Sequence, residues 1–393
     1  MSEPPEHRSP LIYLVAGEPS GDLLGGRLMA ALKTLAAGRV RFAGIGGDAM
    51  AAQGLQTQFP LSDLAVMGIV EVIPHAPRIL RRVTETAEAV KSLRPDVVVT
   101  IDAPAFAFRV GKKLKGSGIP LVHYVAPSVW AWRPRRAKMI AQFLDHLLVF
   151  LPFEPPYFLR EGLAATFVGH PAIEAPNGDG SAFRQRHGIP SDARLLALLP
   201  GSRRGEVSRH LPIFRETVAT LARRFPDLHV AVPTVQTVDA DVRAAAPTFG
   251  TPMIIVGAEE KYDAFAAADV ALAASGTVVL ELAAAGLPMV VTYRVNPLSA
   301  WVARRMVKVT QVSLVNLVLG RPAVPELLQE MCRPDMLSTA VAELLDSREA
   351  RERQRAALAE TVRALTPQDG RPSECAARVV LEIARQAIAR RAG

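Results

Sequence analysis

The stretch AASGTVVLELAAAGLP, Ala273 to Pro288, decides the fold. It reads as a buried strand, Asp269–Ala273, a tight turn of small residues, and a helix opening at Ser275-Gly276-Thr277. That order is the βα unit of a parallel sheet. Small residues in such a turn let backbone N–H groups close on an anion, and the helix N-terminus adds about half a positive charge. One turn further in, Glu281 is a lone carboxylate on an otherwise apolar helix. An anion cradle beside a carboxylate able to take two ribose hydroxyls suits a nucleoside diphosphate. An ordinary βα unit with Glu281 facing solvent accounts for the same residues, since glycine-bearing βα turns are common.

The same alternation runs outward through the chain. Apolar strands are expected at Leu11–Ala16, Arg41–Ile45, Val97–Ile101, Leu121–Val125, Leu147–Phe150 and Thr166–Val168, with helical patterns such as Leu23–Ala36 and Ile79–Leu93 between them. PAIEAPNGDG, Pro171–Gly180, reads as a linker. A second series follows at Leu195–Leu199, His229–Val232, Met253–Val256, Val270–Ala273 and Met289–Val291, and the last part is helical and rich in Arg and Ala. The pattern predicts an α/β chain of two Rossmann-like, doubly wound parallel-sheet domains facing across a cleft, with a helical C-terminal segment. The expected divisions are residues 1–172, 173–345 and 346–393. The last segment is expected to pack back on the first domain or on a partner protomer. A ligand belongs at the carboxyl ends of the strands, so unusual residues should fall just after them.

Composition narrows the classes. The 393 residues are 49% hydrophobic and 21% charged, which suits folded domains. Two cysteines, Cys332 and Cys375, make neither a disulfide framework nor metal-ligand spacing. The N-terminus MSEPPEHRSP lacks a secretory pattern, and no apolar run approaches the ~18 residues of a membrane span. The expectation is a cytoplasmic protein that meets a membrane only from its surface. A net charge of +8 suits phosphorylated substrates, anionic lipid or nucleic acid, and arginine-rich codon usage explains it equally well. No zinc-finger, helix-turn-helix or aromatic-basic strand motif supports nucleic acid.

The unusual residues do follow strands. GEPSGD, Gly17–Asp22, places glycines around Ser20, and Asp22 suits a cap of the following helix, while Glu18 has no packing purpose there. GIGGD at Gly44–Asp48 is an incomplete dinucleotide fingerprint. Asp102-Ala103-Pro104 ends a buried strand. Desolvation there would raise the Asp102 pKa and suit it to general-base work, or Asp102 caps the helix that begins near Pro104. HYVAPSVWAWRPRR, His123–Arg136, sets Trp130 and Trp132 among Arg133, Arg135 and Arg136, for sugar stacking, lipid headgroups or a domain interface. LLPGSRRGEV, Leu198–Val207, offers Arg203 to a diphosphate, or to a salt bridge with Glu206. LAVMGIVEVIPHAPRILRRV, Leu64–Val83, holds Val66, Met67, Ile69 and Val70 in an apolar run followed by arginines. It suits a membrane interface, or a core element. The only DxD-like triplet, Asp239-Ala240-Asp241, lies inside a helix pattern, and no metal site is expected.

Together GEPSGD, LAVMGIVEV, IDAP, HYVAPSVWAWR, LPFE, VGHP, LPGSR, ASGTVVLE and YRVNPLSAWVARRMVKVTQVSLVNLVLGR resemble lipid-A-disaccharide synthase, an inverting glycosyltransferase of GT-B architecture. The matches run in family order from about residue 11 to 330. The resemblance implies that UDP-2,3-diacylglucosamine gives its sugar to 2,3-diacylglucosamine 1-phosphate (lipid X), forming a β-1,6 disaccharide and UDP without metal or cofactor. It implies Asp102 as general base, and Arg203 with Ser275, Gly276 and Thr277 as stabilisers of the departing UDP. Glu281 would hold the ribose, and Glu18, Ser20 and Asn316 would bind substrate. Val66, Met67, Ile69 and Val70 would contact the inner leaflet, making the protein peripheral on the cytoplasmic face of the inner membrane. The family's C-terminal segment can exchange between protomers, so a homodimer is compatible. Ala105 and Ala107 stand where the family commonly has Asp and Asn, which bears on acceptor preference. Two other readings fit the same residues, a UDP-N-acetylglucosamine 2-epimerase-like enzyme and a non-catalytic basic protein that binds membrane or RNA.

Overall fold

The computed structural model describes residues 8–64, 69–130, 135–296 and 311–392, with the side chains of 69–76 set aside. The chain divides into two compact units, residues 1–171 with 366–393, and residues 172–365.

In the first unit, strands β1 (Leu11–Ala16), β2 (Arg41–Ile45), β3 (Val97–Ile101), β4 (Leu121–Tyr124), β5 (His146–Val149) and β6 (Ala164–Phe167) form one parallel sheet. Its order is β2-β1-β3-β4-β5-β6. Strand residues alternate between faces, and both faces are covered. Tyr13 and Val15 join Val98, Phe106, Phe108 and Leu147 on one side. Ile12, Leu14 and Ala16 join Val97, Val99, Leu28 and Met29 on the other. This two-sided burial explains why the strands read as continuous apolar runs. The last helix, Pro372–Ala392, packs on the helix Pro19–Leu35 and adds Ala376, Val380 and Leu381 to the second face. Arg391 pins its end to the buried Asp96 at 3.2 Å.

In the second unit, β7 (Leu195–Leu199), β8 (His229–Pro233), β9 (Met253–Val256), β10 (Val270–Ala274), β11 (Met289–Tyr293) and β12 (Glu326–Leu328) form a second parallel sheet. Its order is β12-β11-β10-β7-β8-β9. The edge strand β12 has three half-buried residues and no apolar run of its own, so sequence pattern does not mark it. The helix Arg348–Leu365 belongs to this unit.

Strand order fixes where each unit can bind. In the first sheet the chain turns back between β1 and β3, and in the second between β7 and β10. At such a switch point the loops leave in opposite directions and open a crevice at the carboxyl ends of the two strands. The loop after β1 is GEPSGD and the loop after β3 is Asp102-Ala103. The loop after β7 is Pro200–Arg203, and the loop after β10 is Ser275-Gly276-Thr277. Four of the motifs marked in the sequence thus flank the two switch points. Among the described residues, no helix is long and apolar enough to cross a membrane.

Candidate active site

At the second switch point a cavity of about 400 Å³ is lined by both turns. Gly201, Ser202 and Arg203 come from one side, and Ser275, Gly276, Thr277 and Glu281 from the other. Gly201 is required by the fold. Its φ is +123°, and a Cβ there would sit 2.7 Å from the Cβ of Glu206. Gly276 is not so required, because an added Cβ would meet nothing within 4 Å. Serine N–H of position 275 continues the ladder to Thr292 O at 2.8 Å. The N–H groups of Gly276 and Thr277 have no backbone acceptor among the described residues.

Glu206, on the first turn of the helix Arg204–Arg224, organises the Pro200–Arg203 turn. One oxygen accepts the N–H of Ser202 at 3.2 Å and of Arg203 at 3.4 Å, and the other accepts the Tyr293 hydroxyl at 3.1 Å. The Arg203–Glu206 salt bridge read from the sequence forms at 3.5 Å. Arg203 is nevertheless 76% exposed, and an exposed pair is worth about 0–1 kcal/mol, so the guanidinium is available to an anion. One turn on, buried His210 bridges the same turn to the end of β11. Its Nδ1 is 2.8 Å from Pro200 O, and its Nε2 accepts the Arg294 N–H at 3.0 Å. Burial holds its pKa below the ordinary value, so a neutral ring makes both bonds.

Glu281 is half-buried and pairs with Lys261 at 2.8 Å. Burial alone would lower the Lys261 pKa, but the Glu281 charge and hydrogen bond outweigh it and the net shift is upward. Both side chains line the cavity.

At the first switch point the backbone is strained. Asp102 and Ala103 have φ of +50° and +42°, and Val125, next in register after β4, has φ of +91°. For a β-branched residue this is a genuine outlier, and each such position costs about 1–3 kcal/mol. Asp102 N–H still extends the ladder to Tyr124 O at 2.9 Å. Its carboxyl is half-buried, and burial lifts its pKa above the ordinary range against one opposing N–H from Ala103. Asp102 therefore does not cap the helix Pro104–Leu114, whose N-cap is Ala103.

Around it, GEPSGD is fitted to the β3 end. A Cβ on Gly17 would collide with that of Ala103, and one on Gly21 would stand 3.2 Å from Ile101 O. Glu18 and Ser20 are exposed at the start of the helix Pro19–Leu35. Asp22 caps a different helix from the one expected. Its carboxylate accepts N–H bonds from Gly47, Ala49 and Met50 at 2.7–3.1 Å, at the N-terminus of Asp48–Ala51. The GIGGD turn is thereby accounted for as structure. Buried Glu154 accepts the Trp130 indole N–H at 3.1 Å and the N–H groups of Phe150 and Leu151. Burial pushes its pKa up to about 7, these donors working against it.

Asn316 is not among the residues lining the second-switch-point cavity. Its amide is fully engaged by Val324 O, Glu326, and the N–H groups of Ala323 and Val324, which fixes the loop before β12. Asp239 and Asp241 pair with Arg243 and Arg204. Trp132, Arg133, Val66 and Met67 fall outside the described residues, as do the side chains of Ile69 and Val70.

Comparison with known proteins identifies the family. The family model described as lipid-A-disaccharide synthetase matches residues 12–380. A lipid-A-disaccharide synthase of Rhodospirillum centenum is 54% identical over 389 residues, covering 98% of this chain and 97% of the relative. The chain belongs to the lipid-A-disaccharide synthase family. A relative of that name from Paramagnetospirillum magneticum is 51% identical and covers 98% of this chain and 100% of its own. Among solved structures, the UDP-GlcNAc 2-epimerase of Neisseria meningitidis bound to UDP-GlcNAc has a TM-score of 0.64, covering 95% of this chain and 98% of that one. At 11% identity this likeness shows the fold alone, two Rossmann-like units of the GT-B kind.

In this lipid-A-disaccharide synthase family member, Lys261, His210, Tyr293 and Glu154 were not singled out by the sequence reading. Signals were present for three of them. Tyr293 opens the YRVNP block, His210 follows Glu206 by one helical turn, and Glu154 closes the LPFE block.

Proposed function

We propose that the chain condenses UDP-2,3-diacylglucosamine with 2,3-diacylglucosamine 1-phosphate, giving the β-1,6-linked disaccharide 1-phosphate and UDP. Residues 1–172 take the acceptor and face the membrane, and residues 173–345 take the UDP-sugar. Asp102 removes the proton of the acceptor 6-hydroxyl as that oxygen bonds to the anomeric carbon. The bond from that carbon to the β-phosphate oxygen breaks, its electrons leave with UDP, and configuration inverts. Arg203 and the N–H groups of the Ser275-Gly276-Thr277 turn receive the charge that develops on the diphosphate. Glu281 takes ribose hydroxyls, while Glu18 and Ser20 hold substrate beside Asp102. Asn316 contributes by fixing the loop before β12. No step calls for a metal ion.

One observation carries this reading. Asp102 and the Pro200–Arg203 and Ser275–Thr277 turns stand at the switch points of two Rossmann-like sheets. Gly276 adds weight, because neither φ nor a protein neighbour demands a glycine there, whereas a diphosphate approaching the backbone does. Both substrates are acylated, so the enzyme works at the inner leaflet, with Val66, Met67, Ile69 and Val70 entering the lipid. A homodimer formed by exchange of C-terminal helices fits the family.

The test is incubation with both acylated sugars, followed by mass spectrometry. A disaccharide 1-phosphate is expected. A 2-epimerised UDP-sugar instead would favour the epimerase reading.

A further inference from the structure

A cavity that receives a diphosphate is a poor place for an unneutralised carboxylate. Two glutamates line this one. Glu206 is consumed by the two N–H groups of its own turn and by Tyr293. Glu281 has a different partner, the Lys261 ammonium at 2.8 Å from Oε2, while Oε1 accepts from no protein group among the described residues. Lys261 is itself confined. It is 23% exposed, and its Nζ stands 4.6 Å from the centre of the Tyr262 ring. It is also the first residue of the helix Lys261–Ala267, where a cation opposes the helix dipole. Helix formation therefore does not explain a lysine at this position.

We infer that Lys261 is a positioning residue of the nucleotide-sugar site, holding Glu281 by one oxygen so that the other receives a ribose hydroxyl. This rests on the UDP reading of the cavity. The ammonium does two things at once. It fixes the carboxylate rotamer, and it cancels a negative charge that would repel the diphosphate. A salt bridge that merely ties Lys261–Ala267 to Val278–Ala284 would do neither for a ligand.

Calorimetry with UDP and 2′,3′-dideoxy-UDP separates the two roles. The wild-type protein should prefer UDP. Lys261→Met should weaken UDP about tenfold and remove most of that preference, as Glu281→Gln should. Lys261→Arg, which keeps the charge, should recover much of it. The double variant K261M/E281Q should bind UDP better than K261M alone, because the uncompensated charge is gone. Thermal melts on the same samples report folding. A preference for UDP left intact in K261M, with only the melting temperature lowered, overturns the inference and leaves the UDP reading standing. Failure of the wild-type protein to bind UDP overturns both.

Discussion

Gly17 and Ala103 interlock, since a Cβ on Gly17 would run into the Cβ of Ala103. Ala103 occupies that space because the chain leaves β3 through two left-handed residues, Asp102 and Ala103. The glycine of GEPSGD and the turn of IDAP are thus two halves of one fit, and it sets where the Asp102 carboxyl is carried. Gly17→Ala should destabilise the protein by about 1–3 kcal/mol through overpacking and lower kcat more than tenfold. Adding Ala103→Gly removes the colliding Cβ and relieves a left-handed alanine, so the double variant should regain stability and rate. Thermal melts and steady-state rates check both.

As the proposed general base, Asp102 should carry the pH dependence of the reaction. Its pKa is raised by burial, so it becomes protonated, and inactive as a base, above the ordinary carboxylate range of about 4. The logarithm of kcat/KM should fall with unit slope as pH drops through that raised value. In Asp102→Asn the residual rate should be lower by about 100-fold or more and lose this inflection. Binding of UDP should persist.

His210 should matter for the donor and not for the acceptor. Removing it strands Pro200 O and the Arg294 N–H, at a cost of about 1–3 kcal/mol. His210→Ala should raise KM for the UDP-sugar about tenfold and leave that of the acceptor within about twofold. Tyr293→Phe removes one bond to Glu206 and should cost less, about fivefold.

Stability should fall on acidification. His123 and His170 are buried, and desolvation by that burial lowers their pKa values to about 3 and about 4, against about 6.5 when unfolded. Lowered histidines contribute stability that is full above pH about 6.5 and lost as pH falls through the folded values. Glu154 works in the opposite sense. Its folded value of about 7 lies above the unfolded one of about 4.3, so its contribution is lost as pH rises through 7. His146 and His210 are also lowered, so the histidines outnumber the raised carboxyls. The melting temperature should decrease from pH 6.5 to 4, and Glu154→Gln should steepen that decrease. A flat or rising profile would count against it.

The sheets were legible because each buried parallel strand is an apolar run, and β1, β3 and β7 fall where the pattern placed them. The loops after them stood out because a carboxylate between strand and helix, such as Glu18, has no packing purpose. Partnerships were hidden. Asp22 caps Asp48–Ala51 across 25 residues and more, and Lys261 meets Glu281 from another helix. Neither pairing leaves a periodic trace. Asn316 sits in a recognisable block, yet only tertiary structure shows its amide saturated by the loop it holds. The strain at Val125 is likewise a property of backbone angles, which valine as a residue type argues against.

The most direct measurement follows UDP release by the purified chain with UDP-2,3-diacylglucosamine, with and without 2,3-diacylglucosamine 1-phosphate. The account predicts release only when the acceptor is present, mole for mole with disaccharide 1-phosphate, and its loss in Asp102→Asn. UDP released at the same rate without acceptor, or full turnover by Asp102→Asn, would contradict it.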